Sequence, residues 1–290
     1  MFKILDARQL ASDVKWFRIR APLVAKHRQP GQFVILRLHE TGERIPLTMA
    51  NADRENGTIE LIVKAIGKTT RELCKKEAGD SIADVMGPLG NPTEIIRVEH
   101  AVLVGGGVGT AVIYPLASAL QQAGCFVSSI TGGRTKELVV LEDELRKVSN
   151  VVYATTDDGS YGFKGTVADK LRELMADKRR PIGVVYAAGP VPMMRAVCEL
   201  TRSAEIKTIV SLNPIMIDGT GMCGGCRVTI GGQTKYACVD GPEFDGHLVN
   251  FAELADRLTT YRKQEQISLE RAEKAAHQCR LEEPVVKARR

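Results

Sequence analysis

Through the first hundred residues, apolar and polar positions alternate in short runs, VKWFRIRAP, GQFVILRL, TIELIVKAI and SIADVMGPLG, each broken by Gly or Pro. Alternation at period two between turn residues predicts β-strands. About six such strands within residues 1–98 predict a barrel. Only TTRELCKK, around 69–76, carries a helical pattern there. From Ala101 the rhythm changes. AVLVGG, FVSSITGG, VVYATTDDG, GVVYAAGP and IKTIVSLN read as buried strands, and TAVIYPLASALQQAG, KELVVLEDELRKV, GTVADKLRELMADK and PMMRAVCELTRSA as the helices between them. Strict alternation predicts a parallel-sheet α/β domain over 99–212, with helices on both faces. Residues 213–245 form a compact cysteine-bearing segment in which RVTIGGQTKYACV reads as a hairpin, and 246–290 a helical C-terminal extension. In that extension Leu248, Phe251, Leu254, Leu258 and Tyr261 recur at helical spacing. They predict an apolar stripe that either packs on the chain's own α/β domain or forms an interface.

Composition narrows the class. A chain of 290 residues is long for a single core. Its 44% apolar and 26% charged content is that of a globular protein. No apolar run approaches the ~18 residues of a membrane span, and the opening MFKILDARQL has acidic residues where a secretory signal has an apolar core. The net charge of +5 comes largely from the C-terminal stretch, which lacks the interleaved aromatics of a nucleic-acid site and reads as a solvated helical face. Seven cysteines, an odd number, predict a reduced, cytoplasmic protein with a few functional thiols rather than a disulfide framework.

The candidate chemistry lies at glycine-rich strand ends, where ligands of parallel sheets bind. In LVGGGVGTAV, Gly105, Gly106, Gly107 and Gly109 would let main-chain N–H groups approach a diphosphate, although Thr110 stands where a G-x-G-x-x-G fingerprint has its third glycine. The next strand ends in Gly133 and Arg134 rather than in an acid, the following one in Asp157 and Asp158, and a later one in Ala188-Gly189-Pro190. In the barrel, RIPLTMAN places an Arg, a Pro and a Thr on one strand, and Val63 and Lys64 lead into AIGKTT. There Gly67, Lys68, Thr69 and Thr70 would offer N–H and hydroxyl donors to a diphosphate that Arg44 neutralises. The stretch DGTGMCGGCRV holds Cys223 and Cys226, with Cys238 beyond. A redox dithiol would want a helix after the motif, and a zinc site would take His247 as fourth ligand. Plant-type clusters are spaced C-x4-C-x2-C with a distant fourth cysteine. Counting back from Cys223 puts Asp218 in the first position, giving D-x4-C-x2-C-x11-C.

A barrel with R-x-P-L-T and G-x-T-T, followed by an α/β domain with GGG-x-G and A-G-P, resembles the ferredoxin–NADP reductase superfamily. The resemblance covers residues 1 to about 210. It implies FAD on the barrel, held by Arg44, Pro46, Leu47, Thr48, Gly67, Lys68 and Thr69. It also implies NAD(H) or NADP(H) facing Gly105 to Thr110, Asp157, Asp158, Gly189 and Pro190. The chain departs from the plant-type members in having Ala188 before Gly-Pro, where they often have Cys, and in lacking a C-terminal aromatic to stack on flavin. With its cysteine segment it resembles the electron-transfer subunits of dihydroorotate dehydrogenase. With Asp at the first ligand position it is similar to the small subunits of NADH-dependent reduced ferredoxin:NADP oxidoreductases, which are electron-bifurcating transhydrogenases. That resemblance implies a 2Fe-2S cluster on Asp218, Cys223, Cys226 and Cys238. It implies a heterodimer with a larger flavin- and iron–sulfur-containing subunit, and ferredoxin as a partner of the complex. No catalytic acid or base is expected. An electron-transfer subunit of a dihydroorotate dehydrogenase, a stand-alone ferredoxin or sulfide reductase, and a non-catalytic zinc-stabilised adaptor are the alternatives.

Overall fold

The structure is a computed structural model that describes residues 1–282, with side chains through residue 274. Strands β1 (Phe2–Ala11), β2 (Val14–Arg20), β3 (Phe33–Arg37), β4 (Arg44–Asp53), β5 (Thr58–Lys64), β6 (Ser81–Ile82) and β7 (Asp84–Leu89) form one sheet in the order β6-β1-β2-β5-β4-β3-β7. Every pairing in it is antiparallel. The sheet curls round a single core of Phe17, Ile19, Val34, Leu36, Met49 and Leu61 with their neighbours. On β4 the alternation sends Ile45, Leu47 and Met49 to that core and leaves Arg44, Pro46 and Thr48 on the other face. Two short helices attend the barrel: α1 (Pro22–His27), which the sequence pattern does not reveal, and α2 (Lys68–Leu73). At six residues α1 is too short for helical periodicity; Val24 and Ala25 alone press it onto the core.

The second sheet contains β8 (His100–Gly106), β9 (Phe126–Gly133), β10 (Val151–Thr156), β11 (Phe163–Lys164), β12 (Val184–Ala188) and β13 (Lys207–Ser211). A separate hairpin, β14 (Arg227–Ile230) with β15 (Gln233–Tyr236), precedes β16 (Glu243–Asp245). The order β11-β10-β9-β8-β12-β13-β16 is parallel except for β16, which runs antiparallel to β13. Helices α3 (Thr110–Gln122) and α4 (Glu142–Val148) cover one face, and α5 (Val167–Ala176), α6 (Val191–Arg202) and α7 (Phe251–Arg257) the other. A last helix, α8, spans Arg262–Glu282. No helix among the described residues is long and apolar enough to cross a membrane.

Three features differ from the sequence expectation. KELVVLEDELRKV is helical only from Glu142; Lys136–Leu138 is a single 3-10 turn, and Leu141 takes φ +60. Val140 and Leu141 leave the helix to pack with Val14, Ala50, Ile62 and Ala111 in the seam between barrel and α/β domain, and that burial outweighs their local preference. The sheet gains edge strands β11 and β16, of which β16 comes from the segment assigned to the cysteines. The C-terminal stripe divides. Phe251, Leu254 and Leu258 pack back on the α/β core, while Leu248 and Tyr261 stay about half exposed.

Candidate functional site

The carboxyl ends of β8, β9, β10 and β12 open into a cleft of about 650 Å³. Gly106, Gly107, Gly133, Arg134, Asp157 and Pro190 line it, and Asp13, Val14 and Lys64 face them from the barrel. Gly107 has φ +55, and a Cβ there would meet nothing within 4 Å, so the main chain lies open to a ligand. Gly105 and Gly109 are glycines for a different reason. A Cβ on Gly105 would press on Thr110, and one on Gly109 would collide with the Ala188 carbonyl, so both serve the close packing of turn, helix and strand. Gly189 backs the same turn, 3.1 Å from the Gly106 Cα to its own would-be Cβ. Thr110 does not face the cleft as expected. It is fully buried, its hydroxyl 2.9 Å from that of Thr131. Asp158 also turns away, accepting from the Ser160 hydroxyl at 2.7 Å and the Ser160 N–H at 2.9 Å, bonds that hold its carboxyl below the usual range. It caps a turn. Among the described residues Arg134 has no acidic partner, whereas Lys64 Nζ is 3.4 Å from Asp13 Oδ2. The other oxygen, Asp13 Oδ1, is buried with no protein partner. Asp13, Val14, Val140, Thr155, Thr166 and Met193 line the cleft without any sequence signal, since only the folding of barrel against sheet brings them there.

On the barrel, Arg44, Pro46 and Thr48 share the outer face of β4, but Leu47 and Val63 turn into the core and reach a ligand only through their main chain. At the start of α2 the Thr70 hydroxyl accepts the N–H groups of Ile66 and Gly67, both at 3.0 Å, and the Thr69 hydroxyl donates to Glu43. The two hydroxyls expected to meet a diphosphate are therefore used within the protein. What remains facing outward is cationic and main-chain. Arg44 and Lys68 have no acidic partner among the described residues, and Gly67 has nothing within 4 Å of a would-be Cβ. That donor set fits the diphosphate of a dinucleotide. Behind β4 the half-buried Arg28 guanidinium donates from Nη2 to the Met49 carbonyl at 2.9 Å, with Nε buried and unpartnered. Burial lowers its pKa to about 10.

The cysteine loop sits on the barrel. Cys226, Cys238, Met216 and Ala237 form one buried cluster with Phe33 and Ile35 of β3. Cys226 Sγ and Cys238 Sγ are 3.2 Å apart, and burial together with the neighbouring sulfur pushes the Cys238 thiol upward. Cys223 stands at the exposed lip, its sulfur accepting the Gly225 N–H at 3.4 Å. Asp218 accepts N–H bonds from Thr220 at 3.0 Å and Cys223 at 2.8 Å, and these hold its carboxyl below the usual range. Glycines 219, 221 and 224, all at positive φ, let the loop turn tightly enough to aim N–H groups inward. Among the described residues no three His, Cys, Asp or Glu side chains converge at ion-binding distance. The four predicted ligands nevertheless share one loop and hairpin, and three thiols and a carboxylate backed by N–H donors suit an iron–sulfur cluster in kind. His247 does not join them. Its ring is engaged by the Thr201 hydroxyl of α6 at 3.0 Å, which counts against the zinc alternative.

Comparison with known proteins agrees with this division of labour. Residues 1–93 match the oxidoreductase FAD-binding domain, 103–199 the oxidoreductase NAD-binding domain, and 213–250 the iron–sulfur cluster binding domain of dihydroorotate dehydrogenase B. The chain is 50% identical over 274 residues to a Thermotoga maritima homologue of the dihydroorotate dehydrogenase B (NAD(+)) electron transfer subunit, covering 94% of this chain and 96% of that one. It is 36% identical over 252 residues to the electron transfer subunit of Geobacillus kaustophilus, covering 83% and 94%. Among solved structures, a chain of the NADH-dependent reduced ferredoxin-NADP oxidoreductase, studied for flavin-based electron bifurcation, superposes with TM-score 0.88 at 49% identity, covering 93% of this chain and 97% of that one. A cytochrome P450 reductase from Amycolatopsis, at 20% identity and TM-score 0.60, shares the fold. The chain therefore belongs to the family of dihydroorotate dehydrogenase B electron transfer subunits and their homologues, oxidoreductase subunits with FAD-binding, NAD-binding and iron–sulfur cluster-binding domains.

Proposed function

We propose that this chain is the small subunit of an electron-bifurcating NADH- and ferredoxin-linked NADP transhydrogenase, carrying electrons from a pyridine nucleotide to a larger flavin- and iron–sulfur-containing subunit. FAD supplies the conversion between two-electron hydride chemistry and one-electron transfer, and the iron–sulfur cluster, read here as 2Fe-2S, supplies the one-electron exit. The protein's own part is placement. Gly106, Gly107 and Arg134 would bind the nucleotide phosphates, and Asp13 and Asp157 would orient its far end toward the barrel. Arg44 and Lys68 would neutralise the flavin diphosphate, with Pro46 and Thr48 against the ring. Asp218, Cys223, Cys226 and Cys238 would hold the cluster. The four-part division 1–98, 99–212, 213–245 and 246–290 follows the same assignment.

One observation carries the proposal: a single barrel bears the nucleotide cleft at Asp13, Val14 and Lys64 and the cysteine loop at Phe33 and Ile35. A two-electron entrance and a one-electron exit so arranged suit a subunit that hands electrons on. The near-complete overlap at 49% identity with the solved oxidoreductase chain supports this acceptor over a dihydroorotate-oxidising partner, with whose electron transfer subunits in Geobacillus kaustophilus and Methanopyrus kandleri the identity is 36% and 37%. The test is assay of the isolated chain against the native complex. Alone it should reduce dyes with NADH yet leave NADP and ferredoxin unreduced, and from its source it should co-purify with a larger redox subunit. Full coupling of NADH, NADP and ferredoxin by the isolated chain would refute the subunit role. A colourless protein holding one zinc would refute the redox role.

A further inference from the structure

Helix α8 lies across α2. Arg71 Nη1 on α2 is 2.6 Å from Glu273 Oε1 on α8. Beside this ion pair is a cavity of about 520 Å³, lined by Lys68 of α2 and by Gln264, Ile267, Ser268, Arg271 and Ala272 of α8. The five α8 residues follow the i, i+3, i+4, i+7, i+8 pattern and so belong to one helix face. A helix that docks by burial presents an apolar stripe. This face instead carries a guanidinium, an amide and a hydroxyl, and Ile267 remains about half exposed. Arg71 has Glu273, but among the described residues neither Lys68 nor Arg271 has an acidic partner and no carboxylate lines the cavity. Two cations held toward one space repel each other and attract an anion.

The cavity begins at Lys68, the first residue of α2, immediately after Gly67 and therefore beside the outward cations of the flavin face. We propose that α8 is a strap over the flavin site, and that its Gln264–Arg271 face, together with Lys68, holds the adenosine diphosphate end of FAD. The inference rests on the assignment of FAD to this barrel. Arg271 and Lys68 neutralise phosphate, Gln264 and Ser268 meet the ribose or the adenine edge, and Ile267 and Ala272 give adenine an apolar wall. The C-terminal extension, which the barrel does not need for its own core, then acts as a cofactor-retaining element.

The probe pair FAD and FMN separates this from a general effect on flavin binding, because FMN lacks the adenosine monophosphate. Dissociation constants of both flavins are measured by fluorescence quenching on full-length protein, Arg271→Ala, Lys68→Ala and a chain ending at Tyr261, with circular dichroism to confirm folding. Arg271→Ala should weaken FAD about tenfold, the loss expected for one charge-assisted bond, and leave FMN within about twofold. The shortened chain should show the same selective loss. Unchanged FAD affinity in Arg271→Ala and the shortened chain would overturn the strap, as would equal losses of FAD and FMN. Should the shortened chain fail to fold, the Arg271→Ala result decides alone. If the full-length parent bound neither flavin, the flavin assignment itself would fall, and the strap with it.

Discussion

Ile35 stands directly opposite Pro46 in the antiparallel register of β3 and β4, and the same Ile35 side chain backs the cysteine loop, 2.9 Å from where a Cβ on Gly219 would lie. Phe33 repeats the relation one step along, opposite Thr48 and in the cluster with Cys226 and Cys238. Opposed residues of an antiparallel pair share a face. Strand β4, on which the flavin is proposed to lie, and the cysteine loop thus flank the same β3 side chains on one barrel face, a placement that suits electron passage between the two proposed sites.

That placement gives Asp218 a testable role. In the proposed ligand set it is the single oxygen among sulfurs. Asp218→Cys should retain a cluster with shifted EPR g-values and altered potential, and Asp218→Ala should lose or destabilise it. The carboxylate also accepts the Thr220 and Cys223 N–H bonds, so the alanine variant loosens the loop as well, and the cysteine variant is the sharper probe. Identical spectra in wild type and both variants would remove Asp218 from the ligand set.

Arg44 is exposed, lies on the outer face of β4 and has no acidic partner among the described residues. If it neutralises flavin phosphate as proposed, replacing it with alanine removes a charge-assisted bond worth roughly 1.5–3 kcal/mol. FAD affinity should fall on the order of tenfold or more with the melting temperature unchanged, because the side chain buries nothing. Titration of the apoprotein with FAD checks this, and full occupancy at low FAD would contradict it.

Glu243 predicts a pH dependence of stability. It sits on β16 at the junction with the barrel, where the Thr93 hydroxyl donates to Oε1 at 2.8 Å, and burial raises its carboxyl pKa from 4.5 to about 7. The folded protein then binds this proton more tightly than the unfolded chain does. Stability from this group is full below about pH 4.5, declines as pH rises toward 7 and is flat beyond, a loss of up to about 3 kcal/mol. Urea midpoints measured at intervals across that range should fall with pH in the wild type. In Glu243→Gln that component of the slope should vanish; an undiminished slope would show that other groups cause it.

Two glycines of one turn should respond differently. Gly109→Ala drives a methyl group into the Ala188 carbonyl and should cost about 1–3 kcal/mol through overpacking, with nucleotide affinity reduced by displacement of the turn. Gly107→Ala meets no atom but must hold φ +55, so about 1 kcal/mol is expected, with the effect concentrated on nucleotide binding as the methyl projects into the cleft. Chemical denaturation and NADH titration of both variants separate the two effects. Equal destabilisation would argue against the distinction.

Local pattern determined the two sheets. Period-two runs in the first hundred residues and strand–helix alternation after Ala101 specify strands, helices and which side chains share a face, because each depends on dihedral preferences and burial over a few neighbouring positions. Chemistry with short spacing was legible for the same reason: the Gly105–Gly109 turn, the hairpin after Cys226 and the Asp218-to-Cys238 pattern all lie within one local segment. What tertiary structure decided is which faces meet. Leu47 and Val63 turned inward because the barrel closes on that side, and Thr110 was claimed by Thr131. The helix expected from Lys136 gave up its first turn and a half because Val140 and Leu141 gain more by filling the interdomain seam. Asp13 entered the nucleotide cleft, Ile35 came to carry the cysteine loop, and α8 came to lie on α2, each through contacts between residues far apart in the chain. Such pairings follow from the burial of whole surfaces against one another, and no local window of residues contains both partners.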